Sequence, residues 1–209
     1  QQVSESVQKE RCRQMPLINN ISFSLPFKKT KTVAAIGGKR KITLLQLLQI
    51  AAALPVGYRL VNWSTDQYQE VNFHWRRLLR YRWLKRILRY RWLYLRKRLL
   101  LLPAETDVRK MMSQFDALLH VPRLSNGTST VVSDALQCGK LVFLSNIPAN
   151  VRVYPRQPGV VILDRDIEHY SHVLEAYDRD MWLKIKQGYA NVYSRDDVMR
   201  QWRDAILDG

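Results

Sequence analysis

Two short loops carry the side chains best suited to bind a phosphorylated ligand. The first reads GGKRK and places Lys39, Arg40 and Lys41 directly after Gly37 and Gly38. The glycines allow a close backbone turn, and the three cations stand where a helix is predicted to begin. Free N–H groups and the helix dipole favour anions there. The loop is a candidate phosphate site, but glycines followed by lysines also form ordinary solvated turns, and the motif alone gives the two interpretations about equal weight.

The second loop crowds small polar side chains at another predicted helix start. It comprises Asn126, Gly127, Thr128, Ser129 and Thr130. Asn, Ser and Thr cap helices in all classes of protein, so at least one of them is expected to do only that. Two such loops that face one crevice predict a pyrophosphate or sugar-phosphate site.

Other catalytic chemistries find little support in the sequence. Two cysteines, Cys12 and Cys138, are too few for a disulfide framework or a zinc site, so we expect reduced thiols and no metal. The sequence contains neither a Walker-type phosphate loop nor a G-x-G-x-x-G fingerprint, which weighs against an ATPase or a dehydrogenase. The histidines are scattered without the partners of a catalytic triad or metal site: His74, His120, His169 and His172.

The elements that must position the two loops alternate between strands and helices. Strands are predicted at 32–37, 57–63, 98–102, 116–121, 140–145 and 159–163. Helices are predicted at 42–54, from 65 onward, and at 105–114, 166–176, 178–191 and 195–207, and the loop that begins at 126 is predicted to enter a helix that stops at Gly139. This order favours an α/β fold with a doubly wound, Rossmann-like parallel sheet and helices on both faces. Ligands in such sheets bind at the carboxyl ends of strands, which is where both loops are predicted to lie.

Positive charge is concentrated in one part of the chain, the basic segment (residues 67–98). The 209 residues carry a formal net charge of +16, and eleven Lys and Arg lie within 73–98. Tryptophans, tyrosines and leucines are interleaved with them, and RYRWL occurs twice. We predict an extended helix with one aromatic and apolar stripe: Trp75, Leu79, Trp83, Ile87, Tyr90 and Tyr94.

Three surroundings are compatible with the basic segment. A helix that packs one stripe and solvates the rest normally mixes Glu with Lys, and this one has no acidic residue between Glu70 and Glu105. Nucleic acid would attract Arg and aromatic side chains, but no nucleic-acid-binding motif is present. An anionic membrane surface is favoured because cations bind headgroups and Trp and Tyr prefer the interface. The residues expected to make this contact are Trp75, Arg76, Arg77, Trp83, Arg86, Tyr90 and Trp92.

No apolar run approaches the ~20 residues that span a bilayer, and the start of the chain lacks the layout of a signal peptide. We therefore expect a cytoplasmic protein that is peripheral on the inner face of the membrane. This expectation fits a helix that lies on the surface rather than crossing it.

The stretch NGTSTVVSDALQCGKLVFLSNIP resembles the donor-binding signature of GT-B glycosyltransferases of the retaining type. In that family, two Glu separated by seven residues precede a segment like AMACGKPVIASDIP. Asn126 stands at the first Glu and Asp134 at the second. LINNISFSLPF is similar to the interdomain linker and TVAAIGG to the first strand of the C-terminal domain. The resemblance covers nearly all of the chain from about residue 17, and divides it into a linker (1–29) and a donor-binding domain (30–209).

The resemblance implies a glycosyltransferase domain that binds a UDP- or GDP-sugar and transfers the sugar to a glycan or lipid-linked acceptor. Asp134 would hold the ribose, while Asn126 and the backbone of 127–130 would contact the sugar and phosphates. The cations of the first loop would stabilise the departing diphosphate. No metal or other cofactor is implied. Family members that act on lipid-linked acceptors commonly dock on membranes, which would give the basic segment its role.

The sequence departs from the family pattern at three positions. Asn126 replaces a carboxylate, Asp134 is one methylene shorter than Glu, and Gly38 stands where the family usually has Arg. The family's acceptor domain is absent from the 209 residues, so we expect either a C-terminal domain or a chain that works beside another. A non-catalytic or nucleic-acid-binding interaction protein on a degenerate glycosyltransferase fold is the alternative.

Overall fold

The computed structural model describes residues 23–37, 42–72, 81–121, 130–154, 157–164 and 167–192, with Arg200 and Arg203. The strands within these ranges are β1 (Thr32–Ile36), β2 (Arg59–Trp63), β3 (Leu99–Leu102), β4 (Ala117–His120), β5 (Leu141–Ser145) and β6 (Val160–Leu163). The helices are α1 (Leu44–Ala53), α2 (Thr65–Asn72), α3 (Tyr81–Leu95), α4 (Val108–Met112), α5 (Thr130–Gln137), α6 (Pro148–Val153), α7 (Ser171–Ala176) and α8 (Arg179–Val192). A 3₁₀ turn at Ile167–Tyr170 precedes α7.

The strands form one parallel sheet in the order β3-β2-β1-β4-β5-β6. From β1 the chain runs through β2 and β3 to one edge, and from β4 through β5 and β6 to the other. Right-handed crossovers in opposite directions place their helices on opposite faces. Accordingly, α1 packs against α3, and α5 packs against α8. The predicted doubly wound, Rossmann-like sheet with helices on both faces is confirmed.

The strands are apolar on both faces because helices cover both. Val33, Ala34 and Ala35 of β1 are buried, as are Leu118 of β4 and Phe143 of β5. Parallel sheets covered in this way are typical of continuous apolar runs rather than an alternating pattern. This property made the strands recognisable in the sequence.

A buried carboxylate joins the entry of β1 to the start of β4. Asp116 accepts hydrogen bonds from the backbone N–H groups of Thr30 (2.8 and 3.0 Å) and Lys31 (2.7 Å). The Thr30 hydroxyl donates a further bond to the same carboxylate at 3.0 Å. Hydrogen bonds to an ionised acceptor are among the stronger ones in proteins. Asp116 therefore fixes β4 beside β1 at the edge opposite to the two candidate loops.

Both ends of α1 have specific caps. At its start the Thr43 hydroxyl accepts from the N–H of Gln46 at 3.2 Å, and the Gln46 side chain accepts from the N–H of Thr43 at 2.9 Å, which completes a capping box. At its end the guanidinium of Arg98 donates to the carbonyl of Ala51 at 3.0 and 3.2 Å and to that of Pro55 at 3.4 Å. Arg98, the last cation of the basic segment, is thus a helix C-cap.

The C-terminus of α5 is locked by glycine packing. Gly139 has a φ of +75°, and a Cβ on it would lie 2.4 Å from Cδ1 of Trp182 in α8. The Trp182 indole donates to the Cys138 carbonyl at 2.9 Å, and the Tyr177 hydroxyl donates to the Gly139 carbonyl at 2.8 Å. Only glycine suits both the conformation and the close approach. The predicted helix stop at Gly139 is confirmed.

Several predicted boundaries change in the structure. The helix predicted at 105–114 is shorter in the structure, where it is α4. It begins later because Asp107 caps its start by accepting from the N–H of Lys110. Helix α2 begins at Thr65 as predicted, and the Ser64 hydroxyl caps its start by accepting from the N–H of Gln67. The helix at 166–176 is divided into the 3₁₀ turn and α7.

Helix α6 was not predicted, although Pro148 at its first turn is a recognised start signal. The predicted helix at 195–207 lies almost entirely outside the described residues, and Arg200 and Arg203 are helical.

Among the described residues before β1, Leu25 is buried and the ring of Phe27 lies 5.8 Å from that of Tyr177, so residues 23–27 pack on the domain.

The cap at the end of α1 gives a first test of the basic segment. Replacing Arg98 by Ala removes the guanidinium donors from the last carbonyls of α1, and we expect the free energy of unfolding to fall by about 2 kcal/mol in urea denaturation. Arg96→Ala is the matched control, because Arg96 is exposed and lies 4.4 Å above the Trp92 ring. Its loss should cost less than about 1 kcal/mol. Equal losses in the two variants would show that Arg98 is not a structural cap.

Candidate functional site

The two candidate loops leave the sheet side by side. Strands β1 and β4 are parallel neighbours in which Ala35 lies opposite Leu119, and they end at Ile36 and His120. The strand order reverses between them, which makes their carboxyl ends the topological switch point of the sheet. The sequence predicts that these two loops face one crevice; most of their residues lie outside the described ones, and the strands that lead into them end side by side.

Most of the predicted loop residues lie outside the described residues and remain predictions: Gly38, Lys39, Arg40, Lys41, Asn126, Gly127, Thr128 and Ser129. Gly37 and Thr130 are described at the edges of the two loops. Gly37 has a φ of +131°, in the region that favours glycine, directly after β1. Thr130 is the first residue of α5 and is exposed.

Asp134 lies one turn into α5, four residues after Thr130, and this spacing places the two residues on the same side of the helix. Its neighbours Val132, Ala135 and Leu136 are buried in the core. The side chain is therefore only partly exposed, and burial raises the pKa of its carboxyl from 3.8 to about 6. A partly desolvated carboxylate of this kind is a strong acceptor for hydroxyl donors of a ligand.

Two buried amides that the sequence analysis did not single out hold the ends of the first loop. Asn62 of β2 donates to the carbonyl of Ala35 at 2.7 Å and to that of Gly37 at 3.3 Å. Gln67 of α2 donates to the carbonyl of Ile42 at 2.6 Å. Each lies on a different element and is distant in sequence, so no local spacing pattern indicated them. An Asn within an apolar strand was the only available signal.

A cleft of about 980 Å³ opens at the same edge of the sheet. It lies between α1, the carboxyl ends of β4, β5 and β6, and the 3₁₀ turn, and apolar side chains such as Leu119 and Ile167 line it. Its polar groups are Gln46, Gln49, Arg89, Ser145, Asp164 and His169. A largely apolar cleft with a few polar groups and of this volume suits a small organic ligand.

The described part of the basic segment has one packed face and one exposed face. Tyr90 is 5% exposed and Leu93 is buried, because this side of α3 contacts β3 and α1. Tyr90 was predicted to face a membrane, and that prediction is wrong: the side chain lies in the core. The exposed face carries Trp92 (51% exposed) and Leu88 (57%), together with Arg86.

Of the other residues predicted for this surface, Trp92 and Arg86 are exposed as the prediction requires. Trp75, Arg76 and Arg77 lie outside the described residues, as does the side chain of Trp83. Tyr94 was predicted for the apolar stripe, but Leu93 takes that place in the core and Tyr94 is half exposed. Among the side chains of α3 that the structure describes, Tyr90 and Leu93 are the buried ones, and this helix contacts α1 and β3.

Burial also decides the chemistry of the described cysteine. The Cys138 side chain is buried, and desolvation raises the pKa of its thiol to about 11. Such a thiol is protonated at neutral pH and is a poor nucleophile.

No cluster of three His, Cys, Asp or Glu that could hold a metal ion occurs in the part of the chain that the structure describes. Within the same ranges, no helix has the length and apolar character needed to cross a bilayer.

Known structures share the fold of this chain. No protein-family model matches it, and no curated protein matches it in sequence. HepE from Anabaena, in complex with UDP, matches 87% of this chain and 50% of its own length, with a TM-score of 0.64 and 13% identity. A TarM variant from S. aureus, in complex with fondaparinux, alpha-GlcNAc-glycerol and UDP, matches 96% of this chain and 41% of its own, with a TM-score of 0.64 and 12% identity.

WaaG, a glycosyltransferase involved in lipopolysaccharide biosynthesis, matches 87% of this chain and 48% of its own length, with a TM-score of 0.56 and 14% identity. These neighbours are GT-B glycosyltransferases, and the chain has the fold of part of them. It spans about half the length of HepE and WaaG and less of TarM. At this level of identity the likeness is one of fold.

The raised pKa of Asp134 predicts a stability effect with a defined sign. The native carboxyl (about 6) holds its proton more tightly than the unfolded one (3.8), so stability falls as the pH rises between these values and the full cost is present above pH 6. Asp134→Asn removes the charge and should raise the free energy of unfolding by about 1–3 kcal/mol at pH 7.5. Most of this gain should vanish at pH 4.

Urea denaturation at the two pH values measures the gain. Asp180→Asn is the matched control, since Asp180 is an exposed carboxylate in α8 and its replacement should give no comparable gain. A loss of stability in Asp134→Asn at pH 7.5 would contradict a buried and unfavourable charge at this position.

Proposed function

We propose that the chain is the donor-binding domain of a glycosyltransferase that transfers a sugar from a nucleotide donor to a glycan or lipid-linked acceptor. One observation carries the proposal: the two loops richest in phosphate-binding groups leave neighbouring strands at the switch point of the sheet. The adjoining cleft of about 980 Å³ is large enough for a nucleotide sugar. Structures of HepE contain UDP and, in another complex, UDP-glucose, which supports the same class of ligand for this chain.

In this proposal each part of the site has a chemical role. The ribose hydroxyls donate to the carboxylate of Asp134, and Gly37 with the following glycine lets the backbone approach the diphosphate. During transfer, the bond between the anomeric carbon and the phosphate oxygen breaks, a bond to the acceptor oxygen forms, and the proton of that hydroxyl passes to the departing diphosphate or to solvent. The charge left on the nucleoside diphosphate is stabilised by Lys39, Arg40 and Lys41. Asn126 and the backbone of 127–130 contact the sugar and the phosphates.

Residues 30–209 form the proposed donor-binding domain, and residues 1–29 form the linker to an acceptor-binding partner. Because GT-B neighbours are about twice as long as this chain, the acceptor side of the cleft belongs in the proposal to an N-terminal domain or a partner chain. Transfer is proposed to need no metal or other cofactor, since cations of the first loop would neutralise the leaving group. Activity that is unchanged in EDTA is the expected result.

The exposed face of α3 supports a second part of the proposal, docking on the inner, cytoplasmic face of an anionic membrane. Trp92 and Leu88 are more than half exposed, and Arg86 and Arg89 flank them. Exposed Trp and Leu among cations suit the boundary between headgroups and acyl chains. The same surface would extend over Trp75, Arg76, Arg77 and Trp83.

Calorimetric titration with UDP, GDP, UDP-glucose and GDP-mannose tests the donor site. We expect saturable binding to nucleotides of one base, about tenfold weaker in Asp134→Ala because the carboxylate acceptor is lost. Binding should also weaken as the pH falls below about 6, where the Asp134 carboxyl takes up a proton. Asp180→Ala is the control and should bind like the unaltered chain. Absence of binding by all four ligands would favour the non-catalytic alternative.

Flotation with liposomes tests the membrane surface. The double variant Arg86→Glu with Trp92→Ala should bind phosphatidylserine liposomes at least about fivefold more weakly than the unaltered chain, and added salt should weaken both. Lys184→Glu reverses an exposed charge on α8 and should change binding less. Tighter binding to single-stranded RNA than to the liposomes would instead support a nucleic-acid partner.

A further inference from the structure

Two amide side chains are buried at positions where an apolar side chain would need no hydrogen-bond partner of its own. Asn62 is 0% exposed, and its neighbours on β2 are Leu60, Val61 and Trp63. Gln67 is 1% exposed at the start of α2. Asn is disfavoured in strand interiors, and a buried amide must find hydrogen-bond partners for both of its polar atoms.

Neither amide is fully satisfied. The Oδ1 of Asn62 and the Oε1 of Gln67 are buried, and neither accepts a hydrogen bond from the described residues. An unpaired buried acceptor costs about 1–3 kcal/mol, whereas an apolar side chain of the same shape would carry no such cost. The hydrogen bonds that the two amides donate to backbone carbonyls are thus accompanied by an unpaired acceptor on each amide, and such local violations concentrate at functional sites.

The two amides donate hydrogen bonds to backbone carbonyls at opposite ends of the same loop. Asn62 Nδ2 lies 2.7 Å from the carbonyl oxygen of Ala35 and 3.3 Å from that of Gly37, where the chain leaves β1. Gln67 Nε2 lies 2.6 Å from the carbonyl oxygen of Ile42, directly before the capping box of α1. The residues between these two contacts are 38–41, which carry the three cations.

We infer that Asn62 and Gln67 are positioning residues for the phosphate-binding loop of the proposed donor site. They fix where the chain leaves β1 and where it enters α1, and so set the distance that residues 38–41 must span. Fixing both ends of a loop lowers the conformational entropy that its residues lose when a diphosphate binds. The inference rests on the proposed function for its ligand, but the fixing of the loop ends is independent of any ligand.

The variants for the test remove the amides with little change of volume. Asn62→Leu and Gln67→Met each delete the amide donor together with its unpaired acceptor, and they leave the carbonyl of Ala35 or of Ile42 without that donor. Thr32→Val is the matched control, because the buried Thr32 hydroxyl donates to the Thr30 carbonyl and accepts from Arg59 at the opposite edge of the sheet. If Asn62→Leu fails to fold, Gln67→Met carries the test.

The first measurement compares a nucleoside diphosphate with its nucleoside, using UDP with uridine and GDP with guanosine. In both variants we expect the diphosphate to bind about tenfold more weakly while the nucleoside affinity changes less than about twofold, since only the phosphates contact the loop. Thr32→Val should change neither. An equal loss for diphosphate and nucleoside would overturn the inference, because it would indicate a general structural defect.

The second measurement needs no ligand. Lys39, Arg40 and Lys41 are trypsin sites, so mass spectrometry can follow cleavage at 39–41 in the native protein. Cleavage should be at least about fivefold faster in Asn62→Leu and Gln67→Met than in Thr32→Val. Faster cleavage in a chain that binds no nucleotide would overturn the proposed function and support the positioning role. Unchanged cleavage in both variants would overturn the positioning role, whatever the affinities are.

Discussion

The parallel pairing of β1 with β4 is the constraint on which the remaining structure depends. Where the two strands begin, the Asp116 carboxylate accepts hydrogen bonds from the backbone N–H groups of Thr30 and Lys31. These bonds join the start of β4 to the start of β1. At their carboxyl ends the two strands finish side by side. From β1 the chain continues toward the β3 edge of the sheet, and from β4 it continues toward the β6 edge. In open α/β sheets, ligands bind in the crevice that forms where the strand order reverses in this way. The buried Asp116 carboxylate, at the amino ends of these two strands, thus supports the geometry of their carboxyl ends, where the two loops begin.

Helix α1 connects the candidate site to the basic segment. Its first turn follows the cationic loop and is closed by the capping box of Thr43 and Gln46, and its last carbonyls are bonded by Arg98. The basic segment consequently has two roles in one stretch of sequence. Tyr90, Leu93 and Arg98 hold the fold together, whereas Trp92 and its cationic neighbours face outward. Such a division is expected of an amphipathic helix at the edge of a sheet.

The position of α5 depends on close packing at the end remote from the site. Trp182 and Tyr177 bond the carbonyls of Cys138 and Gly139, and the absence of a Cβ at Gly139 permits that approach. This fixes the axis of the helix that carries Asp134. The partly buried carboxylate is unfavourable for stability at neutral pH, as is common for groups that are placed to bind a ligand. The helix thus combines a closely packed C-terminus with a partly buried carboxylate one turn from that end.

The sequence by itself determined the architecture and singled out two loops as the candidate site. Continuous apolar runs separated by helical stretches predicted the doubly wound sheet, and glycines and polar residues after β1 and β4 predicted which loops to compare, because these signals are local. Only the tertiary structure decided which face of α3 is buried, so that Tyr90 was assigned to the wrong surface and Arg98 was not recognised as a cap. It also brought Asn62 and Gln67 to the two ends of the first loop. Contacts between residues 25 or more positions apart leave no spacing pattern, and burial depends on which neighbouring elements cover a side chain.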